Sequence, residues 1–320
     1  MWKRRDKPQI RFPENRKFAF SIFDDTDGST IANTEPVYRF LAENGIRTTK
    51  SVWVYPPRGP FTGGCLVDPQ YRNWILQLKS QGFEIALHNV GDGLFTRQEI
   101  IDGIELFRSI IGEYPAAHTN HASNPDNIYW GEDRFEWPLS YLYALAFRLY
   151  RGRTKRVPGH DPASPHFWGD VCKQRIRYIR NFTFNGINTL AYDPRMPYLV
   201  KLKEKYSNFW FSSSDGQTVV KMNDLLSKAN CDKLEACGGV CIIYTHFGRG
   251  FVDANGRLDP TFEERMRFLA SRPGWFVPVS TLLDHLLSEH PGEDPGHLYR
   301  LRLNVWWTAD RLAKKLRYGH

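Results

Sequence analysis

The residues of this chain with the clearest chemical potential are aspartates that follow a short apolar run. Residues 18–23 are nearly all apolar, which is typical of a buried strand, and Asp24, Asp25 and Asp27 follow at its C-terminal end. Burying an unpaired carboxylate is costly, so acids this close together need a cation, a shared proton or open water. The stretch therefore predicts either a cation site or a solvated turn rich in aspartate.

A second set of candidate ligands lies in the segment His88-Asn-Val-Gly-Asp92. A histidine and an aspartate four residues apart, where a strand turns toward a helix, can point at one ion. With Asp25 they would leave positions open for water and substrate, as a catalytic divalent ion requires. Taken singly, His88 would be a core histidine and Asp92 a turn residue. We expect one divalent ion at Asp25, His88 and Asp92, with zinc first and manganese, iron or cobalt as alternatives.

Two further strand ends carry histidines. An apolar segment at residues 239–245 delivers His246 just before two glycines, where it could act as a general acid or cap the following loop. The segment at residues 116–120 ends in His118, Asn120 and His121. These three are expected to bind substrate or to orient the catalytic base, and His121 could also hold the metal.

The elements that must position these residues alternate between strand and helix, which indicates a parallel α/β sheet. Helical spacing is clearest at residues 96–111, where Ile100, Ile104, Phe107 and Ile111 share one face. About eight strands are predicted, the later ones at residues 187–191, 208–211, 239–245 and 275–277. We expect a distorted (β/α) barrel of about seven to eight parallel strands, with an inserted helical or irregular region and a C-terminal amphipathic helix.

The predicted domain organisation is a basic arm at residues 1–16, a barrel at 17–290 with an insertion at 129–196, and a basic amphipathic segment at 291–320. The net charge of +8 is concentrated toward the two ends. Residues 137–150 and 304–318 combine apolar and basic positions, so each is either an interfacial helix on an anionic membrane or a helix packed on the protein. Without an apolar stretch after the basic start, a cytoplasmic location with peripheral contact to the inner membrane face is expected.

Three short motifs resemble the polysaccharide deacetylases, carbohydrate esterase family 4. The family's Thr-Phe-Asp-Asp-Gly is similar to Ile22-Phe-Asp-Asp-Thr26, its His-(Ser/Thr)-x-x-His to His88-Asn-Val-Gly-Asp92, and its Leu-x-His to Tyr244-Thr-His246. The resemblance implies that Asp24 is the general base, that Asp25 is a metal ligand and that His246 is the general acid.

The motifs also depart from the family pattern. Thr26 replaces a glycine, Asp92 replaces the second histidine, and the arginine that orients the base in the family has no counterpart after the fourth predicted strand. An aspartate in place of a histidine makes the metal site more acidic and favours a harder ion.

The expected function is metal-dependent removal of an acyl group, most simply acetyl, from an amino sugar of a polysaccharide or glycan intermediate. One alternative is hydrolysis of another C–N bond, in an amide or cyclic ureide, on the same barrel. The other is a catalytically degenerate binding protein. Nucleic acid is not an expected partner, because the carboxylates at the centre would repel phosphates where a ligand should lie.

Overall fold

The computed structural model describes residues 10–122, 124–151 and 157–318. Within these residues eight strands pair in parallel. They are β1 Phe18–Asp24, β2 Thr49–Val52, β3 Glu84–Leu87, β4 Ala117–His118, β5 Tyr178–Phe184, β6 Phe209–Asp215, β7 Val240–Thr245 and β8 Gly274–Phe276.

Seven of these strands close into a barrel. The order runs from β2 to β7 in sequence, and β1 pairs with both β7 and β2, which closes the ring. The eighth strand, β8, pairs with the first half of β1, where Phe18 is the register partner of Gly274. The predicted (β/α) barrel of seven to eight parallel strands is therefore confirmed.

Helices connect the strands. They are α1 Ile31–Glu43, α2 Pro69–Ser80, α3 Arg97–Ile111, α4 Leu139–Arg151, α5 Gly169–Arg175, α6 Thr189–Tyr192, α7 Val219–Leu225, α8 Lys228–Ala236, α9 Pro260–Ala270, α10 Val279–Glu289 and α11 His297–Tyr318. The helix α3 illustrates how local sequence sets these bounds. Thr96 and Glu99 form a capping box at its start, and Gly112 ends it with a positive φ of 90°. Its predicted apolar face is buried in the core.

The sequence prediction was wrong in the region between β4 and β6. A strand was expected at residues 187–191, where the structure has the helix α6. The strand β5 lies instead within the predicted insertion at 129–196. All seven β5 residues are buried although three of them, Arg180, Asn181 and Thr183, are polar. These polar residues hide the apolar pattern of the strand, and the first of them serves the site described below.

The two amphipathic segments differ in how they pack. The helix α11 begins at His297, earlier than predicted, and Trp307 packs against Phe182 of β5 with ring centroids 6.0 Å apart. Arg300 pairs with Glu136 at 2.7 Å, so this helix is fixed to the inserted region. In α4, several large apolar side chains are exposed. No helix in the described part of the chain combines the length and apolarity needed to cross a membrane.

Asp24 lies at the closure of the barrel and is fully buried. Its carboxylate is 2.9 Å from the Lys50 ammonium, on the strand partner in register with it, and accepts from the Tyr38 hydroxyl and the Phe247 amide. Burial lowers the pKa of Lys50, but the charge of Asp24, its hydrogen bond and the smaller contributions of Tyr71 and Asp25 together raise the pKa above its usual value, so the lysine remains protonated. The structure does not favour the predicted role of Asp24 as general base, because the carboxylate is fully buried in the barrel wall and is held there by Lys50, Tyr38 and the Phe247 amide.

His118 and Asn120 are also internal to the fold. The His118 imidazole is buried against Trp168, and its Nε2 lies 3.3 Å from Asn120 Oδ1. Asn120 in turn exchanges two hydrogen bonds with the backbone of Ile128 and holds the loop after β4. These contacts give His118 and Asn120 structural roles, contrary to the prediction that they bind substrate or orient the base.

Removing Lys50 is expected to destabilise the barrel strongly. Lys50→Met leaves the Asp24 carboxylate buried without a cation, which costs about 3–5 kcal/mol of unfolding free energy. The double variant Lys50→Met with Asp24→Asn should recover most of that loss, as measured by denaturant unfolding. Lys17→Met is the control, because Lys17 is an exposed partner of Glu235, and it should change stability by less than about 0.5 kcal/mol. Equal effects of both lysine variants would contradict this account.

The buried His118 should make stability depend on pH. Burial lowers its pKa to about 3, whereas an unfolded histidine titrates near about 6.5. Between these values only the unfolded state takes up the proton, so stability falls as the pH drops, by up to about 1.4 kcal/mol per pH unit. When the unfolding free energy is measured from pH 7 to pH 4, its decrease with falling pH should be smaller in His118→Gln than in the unaltered protein. The variant His285→Gln, at a partly exposed position, should keep the slope of the unaltered protein.

Candidate active site

Asp27 lies at the centre of a buried cluster of imidazoles. Its Oδ1 is 2.6 Å from His121 Nε2, and its Oδ2 is 2.8 Å from His246 Nε2 and 3.5 Å from His88 Nε2. Burial raises the pKa of Asp27, but the contacts with the three histidines outweigh burial, and the pKa is held far below its usual range. Asp27 is therefore an ionised carboxylate with three imidazole nitrogens around it.

The barrel brings these residues together because each follows the C-terminal end of a strand. Asp27 follows β1, His88 follows β3, His121 follows β4 and His246 follows β7. In a barrel of parallel strands all such ends meet at one mouth, which is where catalytic residues of this architecture usually lie. The sequence-based expectation that distant strand ends converge is met for His88, His121 and His246.

The ring orientation of His88 is fixed by the backbone. Its Nδ1 lies 3.1 Å from the Thr119 carbonyl oxygen, which can only accept, so Nδ1 carries the proton. Its Nε2 then presents a lone pair toward Asp27. That atom is buried and has no hydrogen-bond partner among the described residues. A buried lone pair without a donor is the arrangement expected of a metal ligand.

His121 is oriented in the same way by side chains. Its Nδ1 lies 3.2 Å from Asn124 Oδ1 and 3.4 Å from Asp92 Oδ1, while its Nε2 faces Asp27. A carboxylate behind the second nitrogen of a histidine is a common partner of metal-ligating imidazoles, because it fixes the tautomer and raises basicity.

Asp92 therefore supports a candidate ligand and is not one itself. Its Oδ2 accepts a hydrogen bond from the Phe61 amide at 2.8 Å, and its carboxylate fills the space where a side chain on Gly59 would lie. The structure contradicts the predicted ligand set of Asp25, His88 and Asp92, since their donor atoms do not gather within 4.8 Å.

Two overlapping groups in the described residues could hold a metal ion. One consists of Asp27, His88 and His121, and the other of Asp25, Asp27 and His246; in each, the donor atoms lie within 4.8 Å of one another. The first group joins two imidazoles whose Nδ1 atoms are already committed to oxygen acceptors. With one carboxylate and two imidazole nitrogens, it matches the donor sets of catalytic zinc and iron sites.

Asp25 lies next to this cluster but is held by an arginine. Arg180 of β5 donates Nη1 to Oδ1 at 2.8 Å and Nη2 to Oδ2 at 2.6 Å. Burial raises the pKa of Asp25, yet the Arg180 charge, with smaller contributions from His88 and His246, leaves it below the usual value. Because both oxygens accept from the guanidinium, Asp25 is kept ionised and fixed in one orientation within the second of these two groups.

His246 completes the arrangement from the opposite side of Asp27. Its Nδ1 lies 3.3 Å from the Gln217 carbonyl oxygen, and its Nε2 lies 3.4 Å from the Tyr244 hydroxyl. The imidazole is almost fully buried. Its Nε2 can therefore exchange a proton only with groups inside the mouth of the barrel.

Asp27 and Arg180 are the site residues that sequence reasoning missed. Asp27 lies in the turn after β1, beyond the strand end at Asp24, so the alternation of strand side chains does not predict its direction. The glycine after Asp27 was the available signal. The family motif ends in Asp-Gly, and in this sequence an aspartate is followed by glycine at Asp27, two residues after Asp25. Arg180 was missed because β5 was not recognised as a strand.

Comparison with solved structures agrees with this architecture. Puue allantoinase aligns over 89% of this chain and 95% of its own, with 11% identity and a TM-score of 0.51. A probable polysaccharide deacetylase from Pseudomonas aeruginosa PAO1 aligns over 89% and 96%, with 11% identity and a TM-score of 0.50. No family model and no curated protein matches the sequence. At this identity the likeness establishes the fold, and the chain therefore shares the barrel of these two enzymes.

Proposed function

We propose that this protein is a metal-dependent hydrolase that removes an acyl group from the nitrogen of an amino sugar. The observation that carries the proposal is the buried set of Asp27, His88 and His121 next to an aspartate clamped by an arginine. These parts divide into a metal site, a proton acceptor and a proton donor, which together are what amide hydrolysis requires.

Asp27, His88 and His121 would hold the ion. A divalent ion at this position would supply Lewis acidity, which polarises an acyl oxygen and lowers the pKa of water. Two imidazoles and one carboxylate are softer than the two carboxylates and one imidazole expected from the sequence. The donor set therefore favours zinc, with iron, manganese or cobalt as alternatives.

Asp25 would act as the general base. Its low pKa keeps it ionised, and the paired hydrogen bonds from Arg180 fix the direction in which its oxygens can accept a proton. An aspartate held in this way would take the proton of the attacking water. This role was first expected of Asp24, whose carboxylate is committed to Lys50.

His246 would act as the general acid. The Gln217 carbonyl holds its Nδ1, so the Nε2 is the nitrogen that faces the reacting groups. A proton on Nε2 could pass to the departing amine as the acyl–nitrogen bond breaks. The resulting set of base, acid, three metal ligands and base-orienting arginine is the set of roles that the resemblance to polysaccharide deacetylases implies. His246 and His88 keep their expected roles, whereas the base becomes Asp25 and the other two ligands become Asp27 and His121.

The fold is also that of an allantoinase, which makes hydrolysis of a cyclic ureide the competing activity on this barrel. The Nε2 atom of His88 is buried and has no hydrogen-bond partner among the described residues, which favours a mechanism with a bound metal over one that uses protein groups alone. The choice of substrate is decided by assay, with N-acetylated chitooligosaccharides and allantoin as the two test substrates.

Removal of a metal ligand should abolish both metal binding and hydrolysis. Asp27→Asn should reduce bound zinc, measured by mass spectrometry of the purified protein, from about one ion per chain to background. Deacetylation of N-acetylated chitooligosaccharides should fall at least about 1000-fold, because the ion and its neighbours act as a unit. Asp92→Asn should weaken metal affinity by about 10–100-fold.

Asp102→Asn, on the exposed face of α3, is the matched control and should bind metal and turn over substrate normally. A protein that carries no ion after purification without chelators, and that none of the four metals activates, would refute the proposed mechanism. Hydrolysis of allantoin without deacetylation of the chitooligosaccharides would instead show that the protein hydrolyses a cyclic ureide.

We also propose that α4 contacts the cytoplasmic face of an anionic membrane. Tyr141, Leu142, Leu145 and Leu149 lie on one side of this helix and are exposed, at 65%, 52%, 42% and 79%. The basic Arg148 lies within the same row. Apolar side chains flanked by positive charge are typical of helices that lie in the membrane interface.

Binding to vesicles tests this contact. The double variant Leu145→Asp with Leu149→Asp should lose most co-sedimentation with vesicles that contain 30% phosphatidylserine, since it places two acids in the contact face. The full-length protein should bind these vesicles and should not bind pure phosphatidylcholine. Leu202→Asp, at an equally exposed leucine on a different part of the surface, should bind as the unaltered protein does. Identical binding of both variants would exclude α4 as the contact.

A further inference from the structure

A cleft lies in the described part of the structure outside the candidate active site. Its volume is about 500 Å³, and it is bounded by the loop after β4, by α4 and by α11. Aromatic rings form much of its wall, and two arginines, Arg134 and Arg311, are its charged lining residues. None of its lining residues is acidic. The cleft is of the size and composition that ordinarily accommodate a small ligand.

Arg134 is the unusual residue of this cleft. It is 6% exposed, yet no carboxylate of the described residues lies within ion-pair distance of its guanidinium. Its Nε donates to Asn181 Oδ1 at 3.0 Å, and its Nη2 donates to the Asn181 carbonyl. Nη1 makes no hydrogen bond within the described chain. Buried arginines are ordinarily paired, so this one has an unused charge and an unused donor.

Aromatic rings enclose the guanidinium on several sides. Its central carbon lies 4.2 Å from the ring centroid of Trp130, 4.6 Å from that of Phe182 and 4.7 Å from that of Trp307. Burial lowers the pKa of Arg134 well below its ordinary value, and the positive charges of Arg311 and Arg180 lower it further. An anion in the cleft would relieve both effects, which the aromatic contacts alone cannot do.

The cleft adjoins the proposed catalytic residues through two short connections. Ala122, which lines the cleft, follows His121 in the chain, and the Trp130 indole donates to the Ala122 carbonyl at 3.3 Å. Asn181, which holds Arg134, follows Arg180, which clamps Asp25. The lining of the cleft is therefore joined to the proposed catalytic residues through two pairs of consecutive residues.

We propose that this cleft binds the phosphate or diphosphate group of a phosphorylated amino sugar whose acyl group lies at Asp27. The inference rests on the proposed function and names its substrate class. Guanidinium groups bind phosphate oxygens in a planar, bidentate manner, and Arg311 can add a second charge from the exposed side of the cleft. The aromatic wall of the cleft suits a sugar ring or a base attached to the phosphate. A neutral polysaccharide would leave Arg134 uncompensated.

Calorimetric titration of the full-length protein with inorganic pyrophosphate tests the phosphate site. The titration is repeated after chelation, so that binding to a bound metal does not contribute. Arg311→Gln should weaken binding about tenfold, as expected for one lost charge-assisted contact. Arg134→Lys keeps the charge but loses the planar fork and should weaken binding by at least about tenfold, with circular dichroism confirming that the variant folds.

The matched control is Arg302→Gln. Arg302 lies on the same helix as Arg311 and also stacks on a tryptophan, Trp306, but it does not line the cleft. Its variant should bind pyrophosphate within about twofold of the unaltered protein, a difference well below the tenfold expected at Arg311. No binding of pyrophosphate, or equal losses in Arg302→Gln and Arg311→Gln, would overturn the proposal.

Two further ligands distinguish where the phosphate comes from. One is UDP-N-acetylglucosamine in solution, and the other is a polyprenyl phosphate in phosphatidylcholine vesicles. If either ligand binds and the Arg311→Gln variant weakens that binding, the phosphate site in the cleft is supported. The ligand that binds then shows whether the phosphorylated sugar comes from solution or from a membrane. Binding of N-acetylchitotetraose with no response to either phosphate would overturn the inference while leaving the proposed function intact. Loss of chitotetraose deacetylation in Asp27→Asn tests the proposed function alone.

Discussion

The arrangement of the whole site depends on one buried carboxylate, that of Asp27, which is shared among three imidazoles. A carboxylate at this depth is stable only with nearby proton donors or cations, and the surrounding histidines meet that requirement from three different strands. Each imidazole is in turn held from behind by an oxygen of Thr119, Asn124, Asp92 or Gln217. The Asp27 carboxylate therefore depends on oriented imidazoles, and these in turn depend on acceptor oxygens fixed around the barrel mouth.

A second electrostatic requirement separates the neighbouring acids. Asp24, Asp25 and Asp27 follow one another closely, but each has its own cationic partner or set of donors. Asp24 is neutralised by Lys50 within the barrel wall, and Asp25 is neutralised by Arg180 at the mouth. Only Asp27 is left to the histidines. The three charges are paired in three different directions, which limits repulsion between them; the pKa values of Asp25 and Asp27 are lowered, whereas burial raises that of Asp24.

Much of this could be predicted from the sequence, and the remainder depended on contacts that a linear pattern does not carry. The parallel barrel, the convergence of strand ends and the importance of His88, His121 and His246 follow from strand–helix alternation and from polar residues at strand termini. The different environments of Asp24, Asp25 and Asp27 do not follow from the sequence, since they depend on the turn after β1 and on Lys50 across the strand pair. The strand β5 escaped recognition because its buried residues include an arginine and an asparagine, which an apolar or alternating pattern excludes.

The strand β5 also joins two regions that would otherwise be separate. Arg180 reaches Asp25, and the next residue, Asn181, holds Arg134, while the pairing of β5 with β6 shifts register between Arg180 and Thr183. Since a slip of one residue turns every side chain of a strand to the opposite face, it would detach both arginines at once. Insertions or deletions in this strand are therefore much less tolerable than point substitutions.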